Sequence, residues 1–346
     1  METSEDFNCT VKDKSNLAES EVKPYKPEKP FRLVLFFLQL LLGLFIFFAV
    51  VVSFSFDWRQ LQGIQLFPLF AGFLLTIMIA SSIGLRWHLI LINLTGQKIL
   101  TVKQATIYFL VGRLFGLAIP KDVSDFAGRA YLLVKEDGVS LQKAAFSVVL
   151  DRFWDAWVAG ILIIPGVLVF LYKVPQQQIV LLNIFLILFA ILLPALLPNK
   201  VFLWFGSLYE KLRYRFAKVP IVSRFPLLLT LPEASVSMRL KIIILSFIKI
   251  AATMGRAYVL SIAIGLPVPF SFFVIASPIV QLSFLLALTP GGLGITDATW
   301  SGLLLTQGLS SEQIAAYVVV QRVFTTVFIL ILGSWSFLVI RRNSKE

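Results

Sequence analysis

Residues 60–85, QLQGIQLFPLFAGFLLTIMIASSIGL, form an uncharged run between Arg59 and Arg86. A helix needs about 20 mainly apolar residues to cross the hydrocarbon core of a bilayer, so this stretch predicts a membrane-spanning helix that ends at Arg86. The 346-residue chain as a whole is 58% hydrophobic and only 14% charged, whereas soluble proteins carry roughly 25% charged residues. The sequence therefore predicts an all-α, polytopic integral membrane protein and argues against a soluble enzyme.

Five further full spans are expected from the same pattern. Their approximate bounds are 33–56, 141–172, 174–199, 242–265 and 312–340. Two other apolar segments, 101–136 and 271–307, are interrupted at Pro120 and at Thr289-Pro290-Gly291-Gly292-Leu293-Gly294. Irregular backbone at membrane depth must be surrounded by protein or a watery cavity, so both segments are predicted to be re-entrant helical hairpins. Two full crossings in each segment remain the alternative and leave the orientation unchanged.

Basic residues are distributed unevenly between the two sides of the predicted membrane. One side carries 22 Lys and Arg residues, whereas the opposite loops carry only Arg59 and Lys173. The positive-inside rule then places both termini in the cytoplasm. Residues 1–30 predict a disordered tail and 341–346 a second short tail, while the basic segment 200–241 predicts an amphipathic helix on the membrane surface. A solvated linker is the alternative for that segment.

The remaining composition excludes several kinds of site and partner. One cysteine and one histidine, Cys9 and His88, cannot supply a metal cluster or a disulfide, and we expect no cofactor. His88 and its neighbour Trp87 are predicted to be interfacial anchors where the second span emerges. A net charge of +12 suits an anionic leaflet or an anionic ligand. We expect no nucleic-acid partner.

A weak internal repeat appears when the chain is shifted against itself so that Pro120 falls on Pro290. The same shift, which we call the repeat offset, brings identical residues together at Gly138 and Gly308, at Ser140 and Ser310, and at Arg152 and Arg322. Each glycine can end a half-helix and each serine can cap the next helix. The number of crossings between the two copies predicts opposite orientations, with repeat one at about 60–172 and repeat two at about 242–340. Inverted repeats with discontinuous helices are typical of transporters.

Ionisable residues inside these segments are the candidate site, because charges at membrane depth are costly and usually functional. Arg152 and Arg322 each lie about 18 Å along a helix from its cap, near the membrane midplane. The excess of positive charge favours a phosphate-bearing lipid headgroup, and the glycine turn can offer backbone N–H groups to it. The candidate headgroup-binding residues are Arg129, Arg152, Lys249, Arg256, Arg322, Asp125, Asp151, Asp155, Asp297, Gly291, Gly292 and Gly294.

Each of these charges also has a structural interpretation, as part of a salt bridge that holds helices together. Arg152 and Asp155, three residues apart, can pair on one helix face. Asp151 and Asp155, four residues apart, can instead present two carboxylates together. The spacing alone leaves both arrangements open.

The broken segments and the charges that follow them resemble the lysylphosphatidylglycerol synthase transmembrane-region family, also described as the flippase-like domain family. The residues that carry the resemblance are Ile119-Pro120, Gly138-Val139-Ser140, Asp151-Arg152-Phe153-Trp154-Asp155, Thr289-Pro290-Gly291-Gly292-Leu293-Gly294, Gly308-Leu309-Ser310 and Arg322. The likeness covers about residues 33–340, within a predicted flippase-like domain at 31–340. It implies an inner-membrane protein that carries lipids between leaflets.

Three features depart from the family pattern. Only six residues follow Ile340, so we expect no aminoacyl-transferase domain and no synthase reaction. Lys121 follows Pro120 where the family usually has glycine, and Asp297 stands where a glutamate is commoner.

The leading hypothesis is therefore a non-enzymatic flippase for an anionic or zwitterionic lipid, including aminoacylated or glycosylated ones. One alternative is a membrane subunit or embedded transferase that uses Asp151 and Asp155 on a lipid-linked substrate. Another is a non-transporting partner that recruits an enzyme through residues 200–241. Membrane phospholipids are the expected partners, and a separate transferase and a homodimer stay open.

Overall fold

The computed structural model of the protein describes residues 62–117, 121–172, 180–196, 235–285 and 291–343, with a few isolated positions elsewhere. These residues form helices and connecting turns without a strand, which confirms the all-α prediction for the described ranges. The helices are α1 (Leu66–Thr95), α2 (Val102–Phe115), α3 (Lys121–Asp137), α4 (Leu141–Tyr172), α5 (Val180–Leu196), α6 (Val236–Ala263), α7 (Phe270–Leu285), α8 (Ile295–Leu305) and α9 (Ser311–Asn343).

Several predicted segments lie outside the described residues. They are the tail at 1–30, nearly all of the span at 33–56, residues 118–120, most of the basic segment at 200–241, Pro290, and residues 344–346.

Four helices are long and apolar enough to cross a membrane. They are Leu66–Thr95, Leu141–Phe170, Val236–Ala263 and Ser311–Arg342, at the positions of four predicted spans. In the last of these only 17% of the most apolar stretch is buried, and large side chains such as Val327, Leu330 and Ile331 are exposed on it. Apolar surface of this extent faces lipid rather than water. The span predicted at 174–199 corresponds to the shorter α5, which has 17 residues.

The second predicted span continues beyond the charge that was expected to end it. Helix α1 runs past Arg86 to Thr95, where Gly96 caps it in the left-handed conformation with φ of 71°. Arg86 and Trp87 have no solvent exposure, and His88 is only 7% exposed. The prediction of interfacial anchors at Trp87 and His88 is therefore wrong. Helices α2, α3 and α4 pack around this part of the chain and remove it from the surface.

The helix boundaries follow the repeat offset through two sets of four helices. We name α1–α4 unit one and α6–α9 unit two. The offset carries Leu66, which begins α1, onto Val236, which begins α6, and carries Leu141 of α4 onto Ser311 of α9. Helices α1 and α6 pack along one another, while α2 packs on α9 and α7 packs on α4. Because the offset carries α2 onto α7 and α4 onto α9, the contact of α2 with α9 and the contact of α7 with α4 are equivalent.

The glycine turns before the long helices α4 and α9 match their prediction, and the predicted serine cap is present at α9. Gly138 and Gly308 adopt φ of 65° and 71°, which favours glycine over any residue with a Cβ. Ser310 then caps α9, because its hydroxyl accepts the backbone N–H of Gln313 at 3.3 Å. Both broken segments therefore end in the same way, with a short helix, a left-handed glycine and a long apolar helix.

The breaks in the two units meet each other. The backbone N–H of Gly291, before α8, donates to the carbonyl oxygen of Gly116, after α2, at 2.9 Å. The four flanking helices contain 14, 17, 16 and 11 residues, which corresponds to roughly 17 to 26 Å of helix. Each is shorter than a bilayer core of about 30 Å.

Candidate functional site

Asp151, in the first half of α4, is held between two arginines from different helices. Arg86 of α1 donates from Nε to Asp151 Oδ1 at 2.7 Å, and Arg129 of α3 donates from Nη1 to Oδ2 at 2.8 Å. All three side chains are at most 1% exposed. One carboxylate therefore neutralises charge from both neighbouring helices and joins three helices of unit one.

Asp155, one turn further along α4, extends this arrangement to α6. Arg86 Nη1 donates to Asp155 Oδ1 at 2.6 Å, and the Lys249 ammonium lies 3.2 Å from Oδ2. Arg86 Nη1 also donates to the hydroxyl of Ser246 at 2.8 Å. Asp151 and Asp155 thus do face one direction together, and Arg86 bridges them.

Arg129 is enclosed on all sides. Its Nε lies 2.9 Å from Asp125 Oδ1, one helical turn earlier, and its guanidinium stacks on the rings of Trp87 and Phe109 at 5.2 and 5.5 Å. Arg152 also forms an ion pair with Asp125. We call Arg86, Arg129, Arg152, Lys249, Asp125, Asp151 and Asp155 the polar cluster. It contains four cations and three carboxylates.

Unit two has a smaller charged group around the glycine turn. Arg322 of α9 donates from Nη2 to Asp297 Oδ2 at 2.5 Å and from Nη1 to the carbonyl oxygen of Gly291 at 2.9 Å. The N–H groups of Gly291, Gly292 and Gly294 donate to Gly116, Thr289 and Asp297 respectively. The glycine turn therefore binds Arg322. A ligand could accept hydrogen bonds from these N–H groups only if their bonds to Gly116, Thr289 and Asp297 were broken.

A cavity of about 170 Å³ lies between the two units. Residues at equivalent positions line it from both sides, including the pairs Arg152 with Arg322, Ile83 with Thr253, and Ala156 with Thr326. Among the lining residues that the structure describes, only one is acidic, namely Asp155. Five are basic: Arg113, Arg152, Lys249, Arg256 and Arg322. This excess of positive charge suits an anionic ligand.

The family model described as the lysylphosphatidylglycerol synthase TM region matches residues 36–333. The chain belongs to this family. The match covers unit one, unit two up to residue 333 in α9, and all described residues that line the cavity. It relates the protein to the handling of membrane lipids. No curated protein and no solved structure matches the chain significantly.

In this member of the family, the twelve predicted site residues fall into two groups, those that line the cavity and those that do not. Six line the cavity: Arg152, Lys249, Asp155, Arg256, Arg322 and Gly291. The other six are not among the lining residues: Asp125, Arg129, Asp151, Asp297, Gly292 and Gly294. The four charged members of the second group are fully or almost fully buried and pair with arginines or carboxylates. Asp125 and Asp297 pair with the lining residues Arg152 and Arg322. Asp151 and Arg129 pair with each other and with buried charges behind the lining.

Arg86 and Ser246 support the site and were not predicted. Arg86 was assigned to a loop because it ends the uncharged run, although it donates hydrogen bonds to three polar side chains inside the protein. The repeat could have located it, since the repeat offset carries Arg86 onto Arg256. Arg113 lies against the ring of Phe109 at 5.7 Å and lines the cavity.

Proposed function

We propose that this protein moves an anionic or zwitterionic lipid between leaflets and that the lipid headgroup passes through the cavity. The observation that carries this proposal is the ratio of five basic residues to one acidic residue among the described lining. Charges at membrane depth are costly unless they pair or bind a ligand. Membership of a lipid-related membrane family supports a lipid as that ligand.

Arg152 and Arg322 are the principal headgroup ligands in this proposal. A guanidinium group matches the oxygens of a phosphate with two parallel hydrogen bonds. Asp125 pairs with Arg152, while Asp297 and the Gly291 carbonyl oxygen accept from the two Nη atoms of Arg322. Each guanidinium is therefore oriented before a ligand arrives, and a phosphate would replace part of the bonds that Arg322 makes. Pre-orientation of this kind reduces the entropy lost on binding.

The two units are proposed to be inverted repeats with re-entrant hairpins, and both termini are proposed to be cytoplasmic, in the inner membrane. The common offset, the matched contacts of α2 with α9 and of α7 with α4, and the short helices around each break support this arrangement. Rocking one unit against the other would open the cavity to each leaflet in turn. The bond from Gly291 to Gly116 crosses between the units and would break in that motion.

The test is a lipid-movement assay with the purified full chain in vesicles that contain a fluorescent phospholipid. The Arg152→Gln plus Arg322→Gln variant should move the lipid at least about tenfold more slowly, because two charge-assisted contacts are lost. Lys103→Gln plus Lys143→Gln is the matched control, since it removes two exposed cations elsewhere. Size-exclusion profiles must show that both variants are folded. Equal rates in the parent and in the cavity variant would exclude the mechanism.

The polar cluster supports a transporter rather than a transferase. Arg86 occupies an oxygen of both Asp151 and Asp155, and Arg129 and Lys249 lie against the other oxygens. A general acid or base needs an oxygen that can reach the reacting group. We therefore propose no enzymatic role, and product formation from a lipid-linked donor by the purified chain alone would contradict this.

A further inference from the structure

Arg86 and Arg256 occupy equivalent positions, related by the repeat offset, on helices α1 and α6. Arg86 pairs with the carboxylates of Asp151 and Asp155 of α4. The same offset leads from these two acids to Gln321 and Thr325 of α9. Unit two therefore repeats the cation but lacks both carboxylates.

Arg256 has no hydrogen-bond or ion-pair partner within the part of the chain that the structure describes. It lines the cavity together with Gln321 and Thr325, so the position that the two acids fill in unit one opens into the cavity in unit two. An uncompensated guanidinium at membrane depth is costly. The cost falls when an anion occupies the open position.

Three more polar groups on the cavity lining lack a partner among the described residues. They are Ser277 Oγ, Trp300 Nε1 and Thr325 Oγ1, and each of these atoms is shielded from solvent. Ser277 is 4% exposed and Trp300 is 2% exposed. The indole N–H and the guanidinium can only donate hydrogen bonds, and the hydroxyl groups can donate as well. Such a set of groups requires a ligand that is rich in acceptors.

We propose that Arg256, Ser277, Trp300 and Thr325 form a phosphate oxyanion subsite in the half of the cavity that unit two provides. The phosphate oxygens take the place beside Arg256 that Asp151 and Asp155 take beside Arg86. A lipid phosphodiester and free inorganic phosphate share this chemistry. The identification of this phosphate with the headgroup of a transported lipid rests on the proposed function. Binding of phosphate at the subsite does not.

The test compares two opposite changes at Arg256 in the purified full chain in detergent. Arg256→Gln removes the cation, and Gln321→Asp plus Thr325→Asp keeps the cation but supplies the carboxylates of unit one. Both variants should bind about 10- to 100-fold more weakly, because each removes charge-assisted hydrogen bonds to the ligand. The matched control is Lys143→Gln, which removes one exposed cation from α4. Its affinity should equal that of the parent.

Three probes separate the sources of the phosphate group: inorganic phosphate by calorimetry, and phosphatidylglycerol or diacylglycerol by native mass spectrometry. If both phosphate probes bind and both variants weaken them, the subsite recognises the phosphate group itself. If only phosphatidylglycerol binds and is weakened, the ligand is the headgroup of a lipid. Parental affinity in either folded variant, equal retention of diacylglycerol and phosphatidylglycerol, or failure of the parent to bind any phosphate probe overturns the proposal.

The outcomes also separate the subsite from transport. Arg256-dependent binding without lipid movement would leave the subsite in place and remove the transport proposal. Lipid movement with unchanged binding in Arg256→Gln would do the reverse. If one variant fails to fold, the other still tests the subsite, because one removes the cation and the other adds carboxylates beside it.

Discussion

Unit one and unit two share helix boundaries but treat the same arginine position in opposite ways. Arg86 pairs with Asp151 and Asp155, whereas Arg256 lines the cavity, as do Gln321 and Thr325. Unit one therefore pairs the arginine at this position with its own carboxylates, whereas unit two has no carboxylate at either equivalent position. Two side-chain differences, Asp151 against Gln321 and Asp155 against Thr325, therefore separate the two arginine positions although the helices around them are repeated.

A second pair of equivalent positions shows that the packing was preserved while the residues were exchanged. In unit one the indole N–H of Trp87 donates to the Ser147 hydroxyl at 2.9 Å. In unit two the Tyr317 hydroxyl donates to the carbonyl oxygen of Ala257 at 3.3 Å. The large side chain lies on the first helix in unit one and on the fourth in unit two, so each contact still joins the same two helices.

The largest effect is expected from Asp151→Asn, which breaks the self-neutralised half. It removes the carboxylate that pairs with both Arg86 and Arg129, and breaking a buried ion pair costs about 3 to 5 kcal/mol. The midpoint of thermal unfolding in detergent should fall markedly. Gln321→Asn alters the equivalent position of unit two, where no ion pair exists among the described residues, and should unfold close to the parent. Equal midpoints for the two variants would contradict the contrast between the units.

The sequence was sufficient for the long helices of the described ranges and for most of the charged residues that line the cavity. Gly138, Gly308 and Arg322 are local signals, since a turn or a charge in an apolar run is visible without knowledge of the fold. Arg86 is different, because its burial depends on Asp151, Asp155 and Ser246, which come from distant parts of the chain. A hydropathy rule assigns such a residue to the surface, and only the internal repeat reveals its partner position.

A smaller loss of stability is expected from Trp87→Leu. The substitution removes the ring beneath Arg129 and the hydrogen bond to Ser147, while leucine keeps part of the buried apolar surface. A desolvated cation–π contact contributes about 2 kcal/mol, so the free energy of unfolding should fall by about 2 to 3 kcal/mol. Chemical denaturation in detergent measures it. A change below about 1 kcal/mol would show that Arg129 does not depend on this ring.

Tyr317→Phe makes the corresponding change in unit two and should have a weaker effect. It removes only the bond to the Ala257 carbonyl oxygen and leaves the ring packed against Trp300 and Phe273. The free energy of unfolding should fall by about 1 kcal/mol. The same denaturation experiment gives the free energy of unfolding of both variants. A larger loss for Tyr317→Phe than for Trp87→Leu would mean that the contact in unit two contributes more to stability than the contact in unit one.

The smallest effect concerns Asp137, at the end of α3, whose equivalent position in unit two is Gln307. Burial raises the pKa of Asp137 above its usual range, and Glu136 raises it further, although the hydroxyl of Tyr108 donates to it at 2.9 Å and opposes the shift. A carboxyl group with a raised pKa in the folded state favours folding when it is protonated. Stability is therefore lost as the pH rises from the pKa of the unfolded chain toward the pKa of the folded chain.

Asp137→Asn makes the position an amide, as in unit two, and keeps an acceptor for Tyr108. The variant should therefore be more stable than the parent at pH 7, by less than about 1 kcal/mol because the group is partly exposed, and the gap should close as the pH falls to about 3. Thermal unfolding between those pH values tests this, and a gap that does not change with pH would mean that Asp137 ionises alike in the folded and unfolded chain.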